Sequence, residues 1–161
     1  MSKELNETEH ISTVARNENG KAVKPVNISI FGMGYVGAVT AACLASKGHF
    51  VVGVDTSPAK VEMIQNGISP IVEKDLPELF EEVKKAKLLK ATSDATSAIF
   101  ETEISMICVG TPSNINGSLD TKYLIAVSKD IAEALKTKKE PHILVYRSTM
   151  LPGLLTETIV P

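Results

Sequence analysis

A glycine-rich segment that joins a strand pattern to a helix pattern restricts the possible folds of this chain most strongly. The segment is Gly-Met-Gly-Tyr-Val-Gly at positions 32–37. It follows a β-branched, alternating stretch (26–31) and opens an alanine-rich stretch (35–47). In such a unit the first glycine permits a tight turn, the second lets a pyrophosphate approach the backbone, and the third lets the helix pack on the strand. The segment therefore predicts a βαβ unit with an anion-binding turn.

Apolar stretches alternate with amphipathic ones over the rest of the chain. Continuous apolar strands of this kind are typical of a parallel sheet that is covered on both faces. The pattern therefore predicts an α/β fold, a Rossmann-type doubly wound parallel sheet with right-handed crossovers. The predicted strands are 26–31, 50–54, 88–92, 104–109 and 142–146, and the predicted helices are 35–47, 58–66, 76–85, 94–99 and 120–135.

The two cysteines lie in apolar segments. In the first helix we expect Val36, Val39 and Cys43 to form the stripe that faces the sheet. Cys108 falls within the fourth predicted strand. Two cysteines cannot form a disulfide framework, so we expect two reduced, buried thiols in a cytoplasmic protein, neither of them a catalytic nucleophile.

Charge and segment composition argue against nucleic-acid and membrane partners. The chain has 17 basic and 19 acidic residues and no basic run, which does not suit a protein that coats phosphates. The uncharged run 25–46 is long enough to span a bilayer, but its glycines and polar residues indicate strand, turn and helix instead. Residues 1–24 are mostly polar, so we expect a disordered tail without a signal peptide, followed by one domain over 25–161.

An acidic residue closes the second predicted strand. Asp55 lies 18 residues after Gly37, near the spacing of about 20 at which a carboxylate binds the adenosine ribose of a dinucleotide. The same carboxylate would repel a 2′-phosphate, which predicts NAD rather than NADP. In the alternative interpretation, Asp55 only caps the helix that follows.

Two further loops follow predicted strands at their carboxyl ends, where open α/β sheets bind ligands. They are Gly-Thr-Pro-Ser at 110–113 and Arg-Ser-Thr at 147–149, with Leu-Pro-Gly at 151–153. From the residues alone, each loop could either bind a ligand or only form a turn.

The combined motifs resemble those of the nucleotide-sugar 6-dehydrogenases that oxidise UDP-glucose or GDP-mannose, over about residues 28–161. The forms Gly-Ala-Val, Ser-Pro-Ile-Val-Glu and Arg-Ser-Thr-Met-Leu-Pro-Gly look closer to the GDP-mannose members. The motifs are Gly-Met-Gly-Tyr-Val-Gly-Ala-Val at 32–39, Gly-His at 48–49, Val-Gly-Val-Asp at 52–55, Ser-Pro-Ile-Val-Glu at 69–73, Cys-Val-Gly-Thr-Pro-Ser at 108–113 and the Arg-Ser-Thr motif at 147–153.

The resemblance implies an NAD site, and we expect no metal site. Tyr35 and Val36 would present backbone N–H groups to the pyrophosphate. Thr111 and Thr149 would line the nicotinamide end, and Asp55 with Lys60 would hold the adenosine ribose. The complete set of implied cofactor-binding residues is Gly32, Gly34, Tyr35, Val36, Gly37, Asp55, Lys60, Thr111 and Thr149.

The resemblance also implies parts that this chain does not contain. Family members carry a second domain with a catalytic cysteine, a lysine and an asparagine, and a long helix that forms the dimer. There the sugar would be oxidised twice at C6, with the aldehyde held as a thiohemiacetal. We therefore expect no catalytic residues here, no activity alone, a nucleotide-sugar substrate for the intact enzyme, and a possible homo-oligomer.

Several alternatives remain open at the level of sequence. They are the equivalent domain of a UDP-glucose 6-dehydrogenase, one half of a split enzyme, a non-enzymatic NAD-binding module, and another NAD-dependent dehydrogenase. Two segments depart from the family pattern, because Lys-Asp-Leu at 74–76 replaces Pro-Gly-Leu and Leu154 replaces a threonine.

The last predicted strand is apolar and carries no charge, proline or bulge that would blunt an edge. We expect it to pair with the strand at 104–109 on one side. Its other side would await a strand beyond residue 161.

Overall fold

The computed structural model describes Asn19 and residues 21–115 and 117–160. Residues 1–18 and 20, which form most of the predicted disordered tail, lie outside the described residues, as do positions 116 and 161. The division into a tail and one domain therefore stays a prediction. In the described part of the chain, no helix has the length and apolar character that crossing a membrane would require.

Five parallel strands form a single sheet in the order β3-β2-β1-β4-β5. The Rossmann-type fold class predicted from the sequence is confirmed, and the element ends lie within about two residues of those predicted. The strands are β1 (Asn27–Phe31), β2 (Phe50–Val54), β3 (Leu89–Thr92), β4 (Ile104–Ile107) and β5 (Ile143–Tyr146). The helices are α1 (Tyr35–Ser46), α2 (Pro58–Gln65), α3 (Leu76–Lys85), α4 (Ala95–Glu101) and α5 (Lys122–Leu135), followed by a π-helical turn (Leu155–Ile159).

The order of the strands reverses at the centre of the sheet. β1 pairs with β2 on one side, where Ile28 lies opposite Val51, and with β4 on the other, where Ile28 lies opposite Ile104. The chain winds outward in both directions from this point. In open α/β sheets, such a switch point leaves a ligand-binding crevice beyond the carboxyl ends of the central strands.

Alternate residues of β1 face two separate hydrophobic cores. Ile30 is buried among residues of α1 and α3, with Phe80 as the largest side chain of that layer. Phe31 is buried on the opposite face against α4 and α5, together with Leu124. The sheet is therefore covered on both faces, which explains why its central strands are mostly apolar.

The buried face of α1 differs from the prediction. Its inner stripe consists of small residues, and Val36 and Cys43, which we expected to face the sheet, are exposed. Val39 is half-buried. α1 is apolar over most of its circumference, so periodicity alone did not choose the face; side-chain size did, because small residues let the helix lie close to the sheet. The buried residues are Gly37, Ala38, Ala41, Ala42 and Ala45.

The expectation of two buried thiols is therefore wrong for Cys43, which is exposed on α1. Cys108 lies one residue beyond the end of β4 and is half-buried. Burial raises the pKa of the Cys108 thiol, and the nearby charge of Arg147 partly opposes that effect. Both cysteines are free.

An aspartate lies at the start of each of the helices α4 and α5. The Asp94 carboxylate accepts hydrogen bonds from the N–H groups of Thr96 and Ser97 and so caps α4. Asp120 accepts from the N–H of Lys122 at 3.0 Å, although Thr121 occupies the capping position of α5.

A series of hydrogen-bonded polar side chains lies at the amino end of the sheet, opposite the crevice. Lys138 donates to backbone carbonyls at the end of α4, and its Nζ lies 3.0 Å from His142 Nδ1. An ammonium group only donates, so Nδ1 accepts and Nε2 donates to Ser105 Oγ at 2.7 Å. Ser105 in turn contacts Ser29 at 2.6 Å. Burial and the Lys138 charge lower the pKa of His142, in agreement with a neutral imidazole.

β5 forms one edge of the sheet and pairs only with β4 in the described part of the chain. Ile143 is 59% exposed and Val145 is 38% exposed, although both are apolar. Their backbone pairs toward β4, so the intervening Leu144 presents its N–H and C=O groups outward. An apolar edge with free backbone groups is a template for pairing with another strand.

We expect the purified chain to self-associate through β5. Val145→Lys should shift it toward the monomer, because a lysine on an edge strand opposes pairing. Light scattering over a concentration series measures this. Val72→Lys, which adds the same charge at a fully exposed loop position, is the control and should leave association unchanged. A clean monomer at high concentration in the unmodified chain would contradict the prediction.

Candidate functional site

The first and third glycines of the turn are required by its geometry. Gly32 has a φ of +93°, which L side chains rarely adopt, and its N–H donates to Val54 O at 2.8 Å. A Cβ placed on Gly37 would lie 1.9 Å from Gly32 O. The carbonyl of the turn therefore rests directly on the first turn of α1, as predicted for the packing of helix on strand.

The second glycine faces open space. A Cβ on Gly34 would meet no atom within 4 Å, although its φ of −80° suits any residue. The N–H groups of Tyr35, Val36 and Gly37 precede the first intrahelical bond, which runs from Ala38 N to Gly34 O. No side chain in the described residues caps them. Free amides at a helix N-terminus, next to open space, fit the pyrophosphate of a dinucleotide.

Asp55 joins this turn to the next helix. Its Oδ2 accepts from the N–H of Met33 at 2.8 Å, and its Oδ1 accepts from the N–H of Ser57 at 2.9 Å. Lys60 Nζ lies 3.4 Å from Oδ2. The bond to Ser57 corresponds to the alternative interpretation, a contact at the start of α2. Each carboxylate oxygen has two lone pairs, and these three contacts leave one lone pair on Oδ1 for a ribose hydroxyl. The two interpretations are compatible.

The two predicted loops are in contact with each other. Thr111 Oγ1 donates to the backbone carbonyl of Thr149 at 2.7 Å. Ser148 Oγ donates to Val109 O at 2.8 Å. The loop after β4 and the loop after β5 therefore form one wall beside the glycine turn, at the carboxyl end of the sheet.

One residue of the site was missing from the predicted set. The hydroxyl of Tyr35 donates to Glu73 Oε2 at 2.9 Å, across 38 positions of sequence. This contact raises the pKa of Tyr35. The motif that ends at Glu73 is part of the resemblance to the family, but nothing in the sequence indicated that Glu73 contacts Tyr35. The departure from the family pattern directly after it places Asp75 in a left-handed conformation with a φ of 61°.

The glycine turn, the free helix terminus, the acidic strand end and the paired loops define a Rossmann-type dinucleotide-binding domain. Residues 26–161 match the model of the UDP-glucose/GDP-mannose dehydrogenase family, NAD binding domain. The chain belongs to this family, and NAD is the cofactor of the domain.

Similar proteins agree with this assignment. The GDP-mannose 6-dehydrogenase of Azotobacter vinelandii is 51% identical over 136 residues, which cover 84% of this chain and 31% of that enzyme. A UDP-glucose 6-dehydrogenase of Bacillus subtilis is 37% identical over 135 residues, which cover 83% of this chain and 29% of that enzyme. A crystal structure of a ternary complex of GDP-mannose dehydrogenase from Pseudomonas aeruginosa superposes with a TM-score of 0.82 at 46% identity, covering 83% of this chain and 31% of that one. The chain spans about a third of the length of these relatives.

Alanine at two of the glycines should separate folding from binding. Gly34→Ala should leave the thermal midpoint nearly unchanged but weaken NADH binding roughly tenfold or more, because its methyl group enters the open space above the amides. Gly37→Ala should destabilise the fold by roughly 1–3 kcal/mol or more, because its methyl group overlaps Gly32 O.

NADH fluorescence measures the binding, and circular dichroism measures the unfolding. The chain has no tryptophan, so protein emission does not interfere with the NADH signal. Unaltered NADH affinity in Gly34→Ala would show that the pyrophosphate lies elsewhere.

Proposed function

We propose that the chain is the cofactor-binding part of a GDP-mannose 6-dehydrogenase, which oxidises the sugar at C6 in two NAD-dependent steps. The observation that carries the proposal is the difference in identity over the same part of the chain, 51% to a GDP-mannose enzyme against 37% to a UDP-glucose enzyme. A nucleotide-sugar substrate for the intact enzyme, homo-oligomer formation and a cytoplasmic location belong to the same proposal.

The residues of this chain would hold and orient the cofactor, and bound NAD supplies the hydride acceptor. The amides of Tyr35 and Val36 would bind the pyrophosphate at the positive end of the α1 dipole. Asp55 and Lys60 would bind the adenosine ribose. The wall made by the loops after β4 and β5, with Thr111 at its centre, would flank the nicotinamide end.

Asp55 would also select NAD against NADP. Its side chain is only 10% exposed, and it pairs with a single lysine, Lys60, at 3.4 Å. A 2′-phosphate on the ribose would bring about two negative charges close to this carboxylate. One partly exposed lysine, already engaged with the carboxylate, does not offset that repulsion.

We expect the chain to bind NADH more tightly than NADPH by roughly tenfold or more. Asp55→Asn should reduce this preference, because it removes the charge but keeps one oxygen for the N–H of Met33. Calorimetry with both cofactors measures the ratio. Asp130→Asn, at an exposed position on α5, is the matched control. Equal affinity of the unaltered chain for both cofactors would contradict the role of Asp55.

A pair of chimeras tests the substrate. Residues 26–161 would replace the matching part of the Azotobacter vinelandii GDP-mannose enzyme and, separately, of the Bacillus subtilis UDP-glucose enzyme. We expect the first chimera to keep the larger share of its parent's rate of NADH formation, because the exchanged domain differs from the one it replaces at fewer positions, with 51% against 37% identity. The reverse order would contradict the GDP-mannose assignment.

The chain by itself serves as the control and should form no NADH from NAD⁺ with either nucleotide sugar. The physical reason lies in the placement of its two thiols. Cys108 is half-buried and has a raised pKa, and Cys43 lies on the exposed face of α1, in the half of the helix away from the glycine turn. Turnover that persists in the double variant Cys43→Ser, Cys108→Ser would favour a mechanism contained within this domain.

A further inference from the structure

Arg147 connects the far strand of the sheet to α1. It follows β5 directly, and its backbone N–H donates to Ile107 O at 2.8 Å, which fixes its position relative to the sheet. Its guanidinium crosses to α1, where Nη1 donates to Thr40 Oγ1 at 2.7 Å. Neither the motif analysis nor the site described above uses this contact.

Thr40 connects Arg147 to the first turn of α1 through a second hydrogen bond. Its hydroxyl donates to Val36 O at 2.6 Å. A threonine in a helix commonly makes this bond to the carbonyl four residues earlier. Here the hydroxyl also accepts from Arg147, so the first turn of α1 is linked through two hydrogen bonds to the end of β5. The amide of Val36 belongs to the turn that faces the open space above Gly34.

In the described residues, no carboxylate lies within ion-pair distance of Arg147. The ion pairs of that part of the chain involve lysines. A guanidinium has five N–H donors, and the bond to Thr40 uses one. Thr40 lies about 7 Å along the axis from Tyr35, at 1.5 Å per residue. The hydrogen bond to Thr40 therefore holds the positive charge beside the N-terminal half of α1.

This arrangement is unfavourable without an anion. A helix N-terminus carries partial positive charge and favours acidic residues, and α1 has no acidic residue in its first turn. Placing an unpaired arginine nearby adds a like charge. A diphosphate bound to the amides would be attracted both by the partial positive charge of the helix N-terminus and by the charge of Arg147.

We propose that Arg147 is a positioning residue for the diphosphate of the dinucleotide. Its charge strengthens anion binding at the start of α1, and its bond to Thr40 restrains the turn that supplies the amides. The inference rests on the proposed binding of NAD at the glycine turn.

Three variants test this in the full chain. Arg147→Gln should weaken NADH binding roughly five- to tenfold at low salt, and the difference from the unaltered chain should shrink as salt screens the charge. Arg147→Lys should restore most of the affinity because it restores the charge. Thr40→Val removes the hydrogen bonds of the Thr40 hydroxyl to Arg147 and to Val36 O without changing the charge, so it should weaken binding about twofold with an unchanged salt dependence.

Ligand fragments separate a positioning role from general damage to the fold. ADP-ribose, which carries the diphosphate, should lose affinity in Arg147→Gln as NADH does. AMP lacks the diphosphate and should bind all variants alike. GDP should also bind all variants alike if Arg147 acts on the diphosphate of the cofactor and not on that of a nucleotide sugar. Lys47→Gln removes a charge at the other end of α1 and is the control.

The outcomes are distinguishable. Failure of the unaltered chain to bind NADH would reject the proposed function. Binding of NADH by the unaltered chain, with the same affinity and salt dependence in Arg147→Gln, would reject only the role of Arg147. Equal losses for AMP and NADH would likewise reject it, because they would indicate a structural effect. A loss of GDP affinity alone would assign the arginine to the nucleotide sugar.

Discussion

The close approach of α1 to the sheet is the constraint on which the rest of the site depends. A Cβ on Gly37 would lie 1.9 Å from Gly32 O, and the alanines that follow on the same face are fully buried. This packing aims the free amides of the helix N-terminus at the crevice where the strand order reverses. It also leaves the space above Gly34 open, so one contact between backbones supports both the fold and the anion site.

Asp55 has a structural role, and the proposed function gives the same carboxylate a binding role. By accepting from Met33 and Ser57 it ties the glycine turn to the start of α2. Its remaining lone pair and its charge would face the ribose. A change at this position therefore acts on the shape of the turn as well as on cofactor choice, which is why asparagine separates the two effects better than alanine does.

The two ends of the sheet differ in their chemistry. At the carboxyl end, contacts between distant loops such as that of Thr111 with Thr149 assemble exposed groups around a space. At the amino end, Ser29, Ser105 and His142 form a chain of hydrogen bonds that satisfies buried polar groups, and no buried side-chain polar atom in the described residues lacks a partner. In the proposed function the carboxyl end would bind the cofactor, and the amino end holds the strands together.

The sequence by itself determined the fold class, the approximate ends of the elements and the place of the glycine turn and of Asp55, because those signals are local. Six residues around Gly34 specify the turn, and Asp55 follows the second strand directly. Tertiary structure decided the rest. Periodicity could not choose the inner face of α1, since Val36, Cys43 and the alanines are all apolar and only close packing on the sheet selects the smallest. The contacts of Glu73 with Tyr35 and of Arg147 with Thr40 span 38 and 107 positions, so they exist only once the sheet brings the ends of its strands together.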